Sequence, residues 1–117
     1  MRIPLPAGTT LFIGPPAKPM AADRREGIRS AVLGITGIVE AHLPQCYAKG
    51  FIDPSAQVLV LVLAADAQDS IVVAEVERRL STVLPQGRSL DILPLRDGAP
   101  ALKTIRATGC MLDLAEV

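Results

Sequence analysis

The chain has 117 residues, half of them hydrophobic, and twelve Lys and Arg are balanced by twelve Asp and Glu to a formal net charge of zero. That length suits one domain, and a mean hydropathy of +0.38 with no net charge excludes a disordered chain. The lack of a basic surplus excludes a nucleic-acid binder that works by phosphate neutralisation. With Phe12, Phe51, Tyr47 and His42 as the only aromatic or imidazole side chains, neither a stacking platform nor a multi-histidine metal centre is expected.

Met1 to Gly8 holds two prolines and no apolar stretch of signal-peptide length. The most apolar run, Val58 to Ala65, has eight residues, far short of the ~20 that a membrane-spanning helix needs. A cytoplasmic protein without membrane or nucleic-acid partners is therefore expected. Cys46 and Cys110 form no CxxC pair and read as reduced thiols. An apolar chain of zero net charge tends to self-associate, so a homodimer is expected.

In chain order, residues 1–8 read as a Pro- and Gly-rich arm. Thr9 to Ile13 is short, β-branched and aromatic, which predicts a strand; Gly14-Pro-Pro-Ala-Lys18 and Pro19 stop it. From Ala21 to Thr36 the apolar positions Ile28, Val32 and Ile35 recur at helical spacing, with Gly37 as the left-handed closing residue. Ile38 to Leu43 alternates as a strand, Val39, Ala41 and Leu43 on one face and Ile38, Glu40 and His42 on the other. Pro44 predicts an edge or a bulge there, with extended chain resuming through Cys46 and Tyr47.

Lys49-Gly50 and Asp53-Pro54-Ser55 carry turn chemistry. Gln57 to Ala64 is nearly all apolar with three valines and predicts a central strand covered on both faces, or covered on one and joined to a partner on the other. Asp66 or Asp69 is placed to cap the next helix, predicted over 70–84 with Val76 and Leu80 in its apolar stripe. Pro85-Gln-Gly87 ends it. Leu90 to Leu95 reads as the last strand, Arg96-Asp97-Gly98 as a turn, and Pro100 opens a short helix over 101–107 closed by Gly109. Cys110 to Leu114 reads as an extended tail. The order β-α-β-β-α-β, as one domain over residues 1–117, predicts an α+β ferredoxin-like sandwich: a four-stranded antiparallel sheet, two helices on one face and a short C-terminal helix.

Several stretches carry a resemblance. Leu5-Pro-Ala-Gly-Thr9 leads to Leu11-Phe-Ile-Gly-Pro-Pro-Ala17; Thr36-Gly-Ile-Val-Glu-Ala41 follows the first helix; Asp53-Pro54 precedes the apolar strand. Leu84-Pro-Gln-Gly-Arg-Ser-Leu-Asp-Ile-Leu-Pro-Leu95 and Ala101-Leu-Lys-Thr-Ile-Arg106 complete the pattern. Over roughly positions 5 to 110 this resembles the C-terminal domain of the SseB (enhanced serine sensitivity) family. Members of that family usually carry an additional N-terminal domain, whereas the 117 residues here are expected to form the one domain alone. Where they tend to end the short helix with a Gly-x-Pro-Phe-Tyr-like segment, this chain has Thr108-Gly-Cys-Met-Leu112. The resemblance implies no established reaction and no catalytic residues to transfer.

The chemistry-bearing residues are few. His42 and Cys46 lie four apart, and strand geometry separates such positions by about 13 Å, so a thiol–imidazole nucleophile requires Pro44 to fold the segment; a half-exposed edge-strand histidine is expected instead. Gly87-Arg88-Ser89 and Gly14 to Lys18 lack the spacing of a phosphate-cradling loop and read as turns. Asp23 to Glu26 and Glu75 to Arg79 read as solvated helix faces. Asp53, Asp66 and Asp69 have turn and capping roles. No catalytic residue, cofactor or metal ligand is assigned. Three functions remain: a noncatalytic module that binds protein or itself, motivated by the apolar run 58–64; a small-molecule sensor of amino-acid type, by analogy with ferredoxin-like regulatory domains; and an enzyme using Cys46 or His42.

Overall fold

A computed structural model of the chain describes residues 8–18, 20–85 and 90–114. The elements are β1 (Phe12–Gly14), α1 (Ala22–Val32), β2 (Ile38–His42), β3 (Gln45–Ala48), β4 (Ile52–Leu63), α2 (Asp69–Val83), β5 (Asp91–Arg96) and α3 (Pro100–Ala107). They build a curled, largely antiparallel sheet of five strands in an α+β domain. The fold class is as expected, but the four-stranded antiparallel ferredoxin-like arrangement is not what forms. Ala21 to Thr36 is helical only to Val32, because Leu33 turns extended and Gly34 takes φ +80°. Asp53 to Ser55 is strand, not turn; Lys49 and Gly50 turn the chain and β4 starts at Ile52 through a cis Asp53–Pro54 bond. The expected turn at Gly87-Arg88-Ser89 and most of the N-terminal arm lie outside the described residues.

β2 and β3 are two halves of one strand. Both pair antiparallel with β4, and one register runs from Glu40↔Val62 through His42↔Val60 to Gln45↔Gln57 and Cys46↔Ala56. The Val58 N–H bonds Pro44 O across the interruption at 3.0 Å. Pro44 has no N–H to return, so the ladder breaks there. Register irregularities lie on either side of Pro44, between Cys46 and Ala48 and between Ile38 and Glu40, where Val39 is 58% exposed. The segment is no edge. Met111 bridges His42 on its other side, with Leu43 N–H to Cys110 O at 3.0 Å and Leu112 N–H to Ala41 O at 2.8 Å.

β5 lies parallel to β4, pairing Val58↔Asp91 through Leu63↔Arg96. β4, α2 and β5 therefore form a βαβ unit with adjacent strands, where the ferredoxin-like expectation places another strand between them. Alternation along β4 sends its apolar side chains to two cores. Leu59, Leu61 and Leu63 pack with Ile28 and Val32 of α1 and Val72, Val73, Val76 and Leu80 of α2. Val58 and Val60 pack with Cys46, Ile52, Leu93 and Ile105 of α3. Both faces of the central strand are thus covered by the chain's own elements, as one of the two sequence alternatives required.

Candidate functional site

α2 and α3 leave the ends of neighbouring parallel strands and pack on opposite faces of the sheet. Connections that diverge this way leave a crevice outside the carboxyl ends of the two strands, the place where open α/β sheets bind ligands. This chain has such a crevice, a cavity of about 570 Å³, within the usual range for small-ligand sites. Its lining comprises Val62 to Ala65 at the end of β4, Val39 and Glu40 of β2, Arg96 and Asp97 at the end of β5, and Arg106 of α3.

Each charged group here is held by its fold position. Arg96 closes β5 and reaches across the β4–α2 loop. Its Nη2 donates to Ala67 O at 2.6 Å and to Asp69 Oδ1, and its Nη1 donates to Ala64 O. The sequence offers Asp66 or Asp69 as the cap, yet the N-cap is Gln68, with no side-chain cap bond. Asp69 serves instead as the carboxylate of this clamp. Arg106, on α3, forms a forked pair with Glu40: Nε to Oε1 at 3.1 Å and Nη2 to Oε2 at 2.7 Å, with Asp97 Oδ1 3.4 Å away. Two parallel N–H···O bonds fix the guanidinium plane.

Behind that pair stands His42. Its side chain is wholly buried, contrary to the half-exposed position expected, because the segment 110–112 closes the edge on which it lay. Nε2 lies 2.9 Å from Glu40 Oε1, and Nδ1 has no hydrogen-bond partner among the described residues. The hydrogen bond from Arg106 holds the Glu40 carboxyl below its ordinary value, burial opposes this, and the His42 contact acts in the same direction as Arg106. Glu40 in turn keeps the Arg106 guanidinium firmly protonated. Both oxygens of Glu40 are committed to Arg106 and His42.

No thiol–imidazole pair exists. The His42 ring makes its hydrogen bond to Glu40, and Cys46 is buried in the core with Val58, Val60 and Ile105, where desolvation pushes its thiol up to about 11. A thiol of that kind is a poor nucleophile at neutral pH. Cys110 is also buried, with Sγ 3.5 Å from Thr108 O. Asp53, Asp66 and Asp69 do not come together, and among the described residues no group of three or more His, Cys, Asp or Glu is arranged for a metal. Gly14, Pro15 and Ala17 line a smaller cavity of about 330 Å³ with Gln45 and Ser55, and Ala17 N–H bonds Gln45 Oε1 at 3.0 Å. Arg25 and Arg79, on faces expected to be merely solvated, do more than that, as does Arg29. Arg25 and Arg29 donate to Met111 O and Asp113 O, and Arg79 to Leu33 O, pinning the C-terminal segment and the end of α1.

Sequence reading missed Glu40, Arg96, Asp97 and Arg106 as a group. Arg96 and Asp97 read as turn residues, and Glu40 and Arg106 stand 66 positions apart, beyond any local spacing signal. Among the described residues no helix is long and apolar enough to cross a membrane. No protein-family model, curated protein or solved structure matches the chain.

Proposed function

We propose that the chain is a noncatalytic binding module of the SseB C-terminal type, acting as a small-molecule sensing or regulatory domain whose ligand sits between the carboxyl ends of β4 and β5. The observation that carries this reading is the crevice at the divergence of α2 and α3, with the side chains of Arg96 and Arg106 about half exposed on its wall. The noncatalytic part rests on the buried, high-pKa Cys46 and the enclosed His42.

A thermal-shift screen of the protein against a broad metabolite panel tests it. A ligand at a hundred times its dissociation constant adds ~2.7 kcal/mol, which raises the melting point of a domain this size by several degrees. Stabilisation by a metabolite that disappears in Arg106→Gln supports the reading; a flat screen refutes it.

Association with protein, including homodimerisation, is the second reading. The apolar run 58–64 no longer motivates it, since the chain covers that run itself. What favours it is Phe12, 61% exposed at the outermost strand with its ring 6.1 Å from that of Tyr47. Among the described residues no strand pairs the outer edge of β1, and an open edge beside an aromatic side chain is a template for strand addition. Sedimentation of the wild type and Phe12→Ser separates the cases. A dimer lost in the variant supports this reading, and a monomer at all concentrations removes homodimerisation.

A further inference from the structure

We infer that the crevice between β4 and β5 takes a small zwitterion, one carboxylate and one ammonium group on a short apolar body, of the free amino-acid class. This rests on the crevice being a ligand site, and it follows from what hydrogen-bonding capacity and charge remain there once the protein's own contacts are counted.

Arg106 spends Nε and Nη2 on Glu40 and Asp97, so both N–H groups of Nη1 are without a partner among the described residues. Arg96 spends Nη1 and Nη2 on the β4–α2 loop and keeps its Nε–H. A ligand carboxylate is the acceptor that guanidinium N–H groups select. On the acceptor side both Glu40 oxygens are already engaged by Arg106 and His42, whereas Asp97 has one oxygen without a partner and the other only in a 3.4 Å contact. Its side chain is 83% exposed, available to an ammonium group.

The charge balance decides between ligand classes. In the lining two guanidinium groups, Arg96 and Arg106, meet two carboxylates, Glu40 and Asp97, and Asp69 pairs with Arg96 from outside it. An inorganic phosphate or a dicarboxylate would bring uncompensated negative charge beside Glu40 and Asp97 in a lining whose own charges already cancel, and like charges brought together are strongly disfavoured. A simple amine would leave the spare guanidinium N–H groups unmet. A zwitterion satisfies both donors and acceptor at no net charge, and Val39 and Val62 offer apolar contact to its body.

The test is a ¹H–¹⁵N titration of the full chain with the twenty common L-amino acids, then with the deaminated acid and decarboxylated amine of the tightest binder, and with inorganic phosphate. The expected result is binding of an amino acid that moves the amide signals of Val39, Ala64, Asp97 and Arg106, with each single-charge analogue about tenfold weaker or worse, the effect of losing one charge-assisted contact. Asp97→Asn, at an exposed site that leaves folding intact, weakens the amino acid by a similar factor and leaves the deaminated acid unaffected; Arg106→Gln weakens both. Equal or tighter crevice binding by the deaminated acid, the amine or phosphate overturns the zwitterion while leaving a small-molecule site. No crevice shift with any of these probes, beside a crevice hit from the metabolite panel, overturns it in the same way. Silence from every compound overturns both.

Discussion

Leu61→Ala and Val60→Ala probe neighbours on β4 whose side chains leave the sheet in opposite directions, both at 0% exposure. Leu61 faces α1 and α2, and Val60 faces Ile105 and Leu93. Removing three buried carbons from Leu61 forfeits about 2.4 kcal/mol of transfer free energy at ~0.8 kcal/mol per methylene; the cavity left behind brings the total to about 3–4 kcal/mol. Two carbons from Val60 give about 2 kcal/mol by the same reasoning. Both are large against the roughly 6–17 kcal/mol expected for a chain of this length. With a urea m-value of about 1.5 kcal/mol per M, midpoints fall by about 2–2.7 M and about 1.3 M, read by circular dichroism at two protein concentrations. A Val60→Ala midpoint equal to wild type, or a loss that shrinks as protein concentration rises, would refute self-coverage of that face and return it to a partner.

Acidification tests the Glu40 pair. Because Arg106 holds the Glu40 carboxyl below its ordinary value near 4.5, the folded state binds this proton less readily than the unfolded chain. The pair's stabilisation is therefore present above that ordinary value and lost as pH falls through the lowered one. Glu40→Gln is expected to melt lower than wild type at pH 7 and to converge with it at acid pH; a constant gap between their melting curves would contradict this. Cys46, probed in a Cys110→Ser background, is expected to react with a disulfide reagent at pH 8 only after unfolding in urea, since burial holds its thiol near 11; rapid native-state labelling would disprove the burial. The two glycines Gly27 and Gly37 should respond to alanine with opposite signs. At Gly27, inside α1, a Cβ meets Val83 Cβ at an ordinary 3.6 Å, so Gly27→Ala raises stability by about 0.5–1 kcal/mol. At Gly37, φ is +100° and a Cβ lies 3.0 Å from Ala67 Cβ, so Gly37→Ala lowers it by at least ~1–2 kcal/mol; thermal melts of the two variants decide both.

Period and punctuation in the sequence determined the order of the elements. The apolar alternation of Gln57 to Ala64, the helical recurrence of Val72, Val76 and Leu80, and Pro100 at the start of α3 are local signals, readable because a strand or helix repeats its pattern within a few residues. Pro44 carried its own consequence, the break between β2 and β3, since a missing N–H interrupts a ladder wherever the strand lies. What sits beside what was decided only in three dimensions. That β5 pairs directly with β4, that α3 crosses to the face opposite α2, and that residues 110–112 close the edge over His42 depend on contacts between segments far apart in the chain, for which neighbouring residues hold no record. The crevice follows from those choices. Glu40 lies within β2, Arg96 and Asp97 at the end of β5 and Arg106 in the last turn of α3, and their meeting is a property of how those three elements pack around the end of β4. Charge recognition acts over a few ångströms of space, so a site built from it stays hidden until the fold has set those distances.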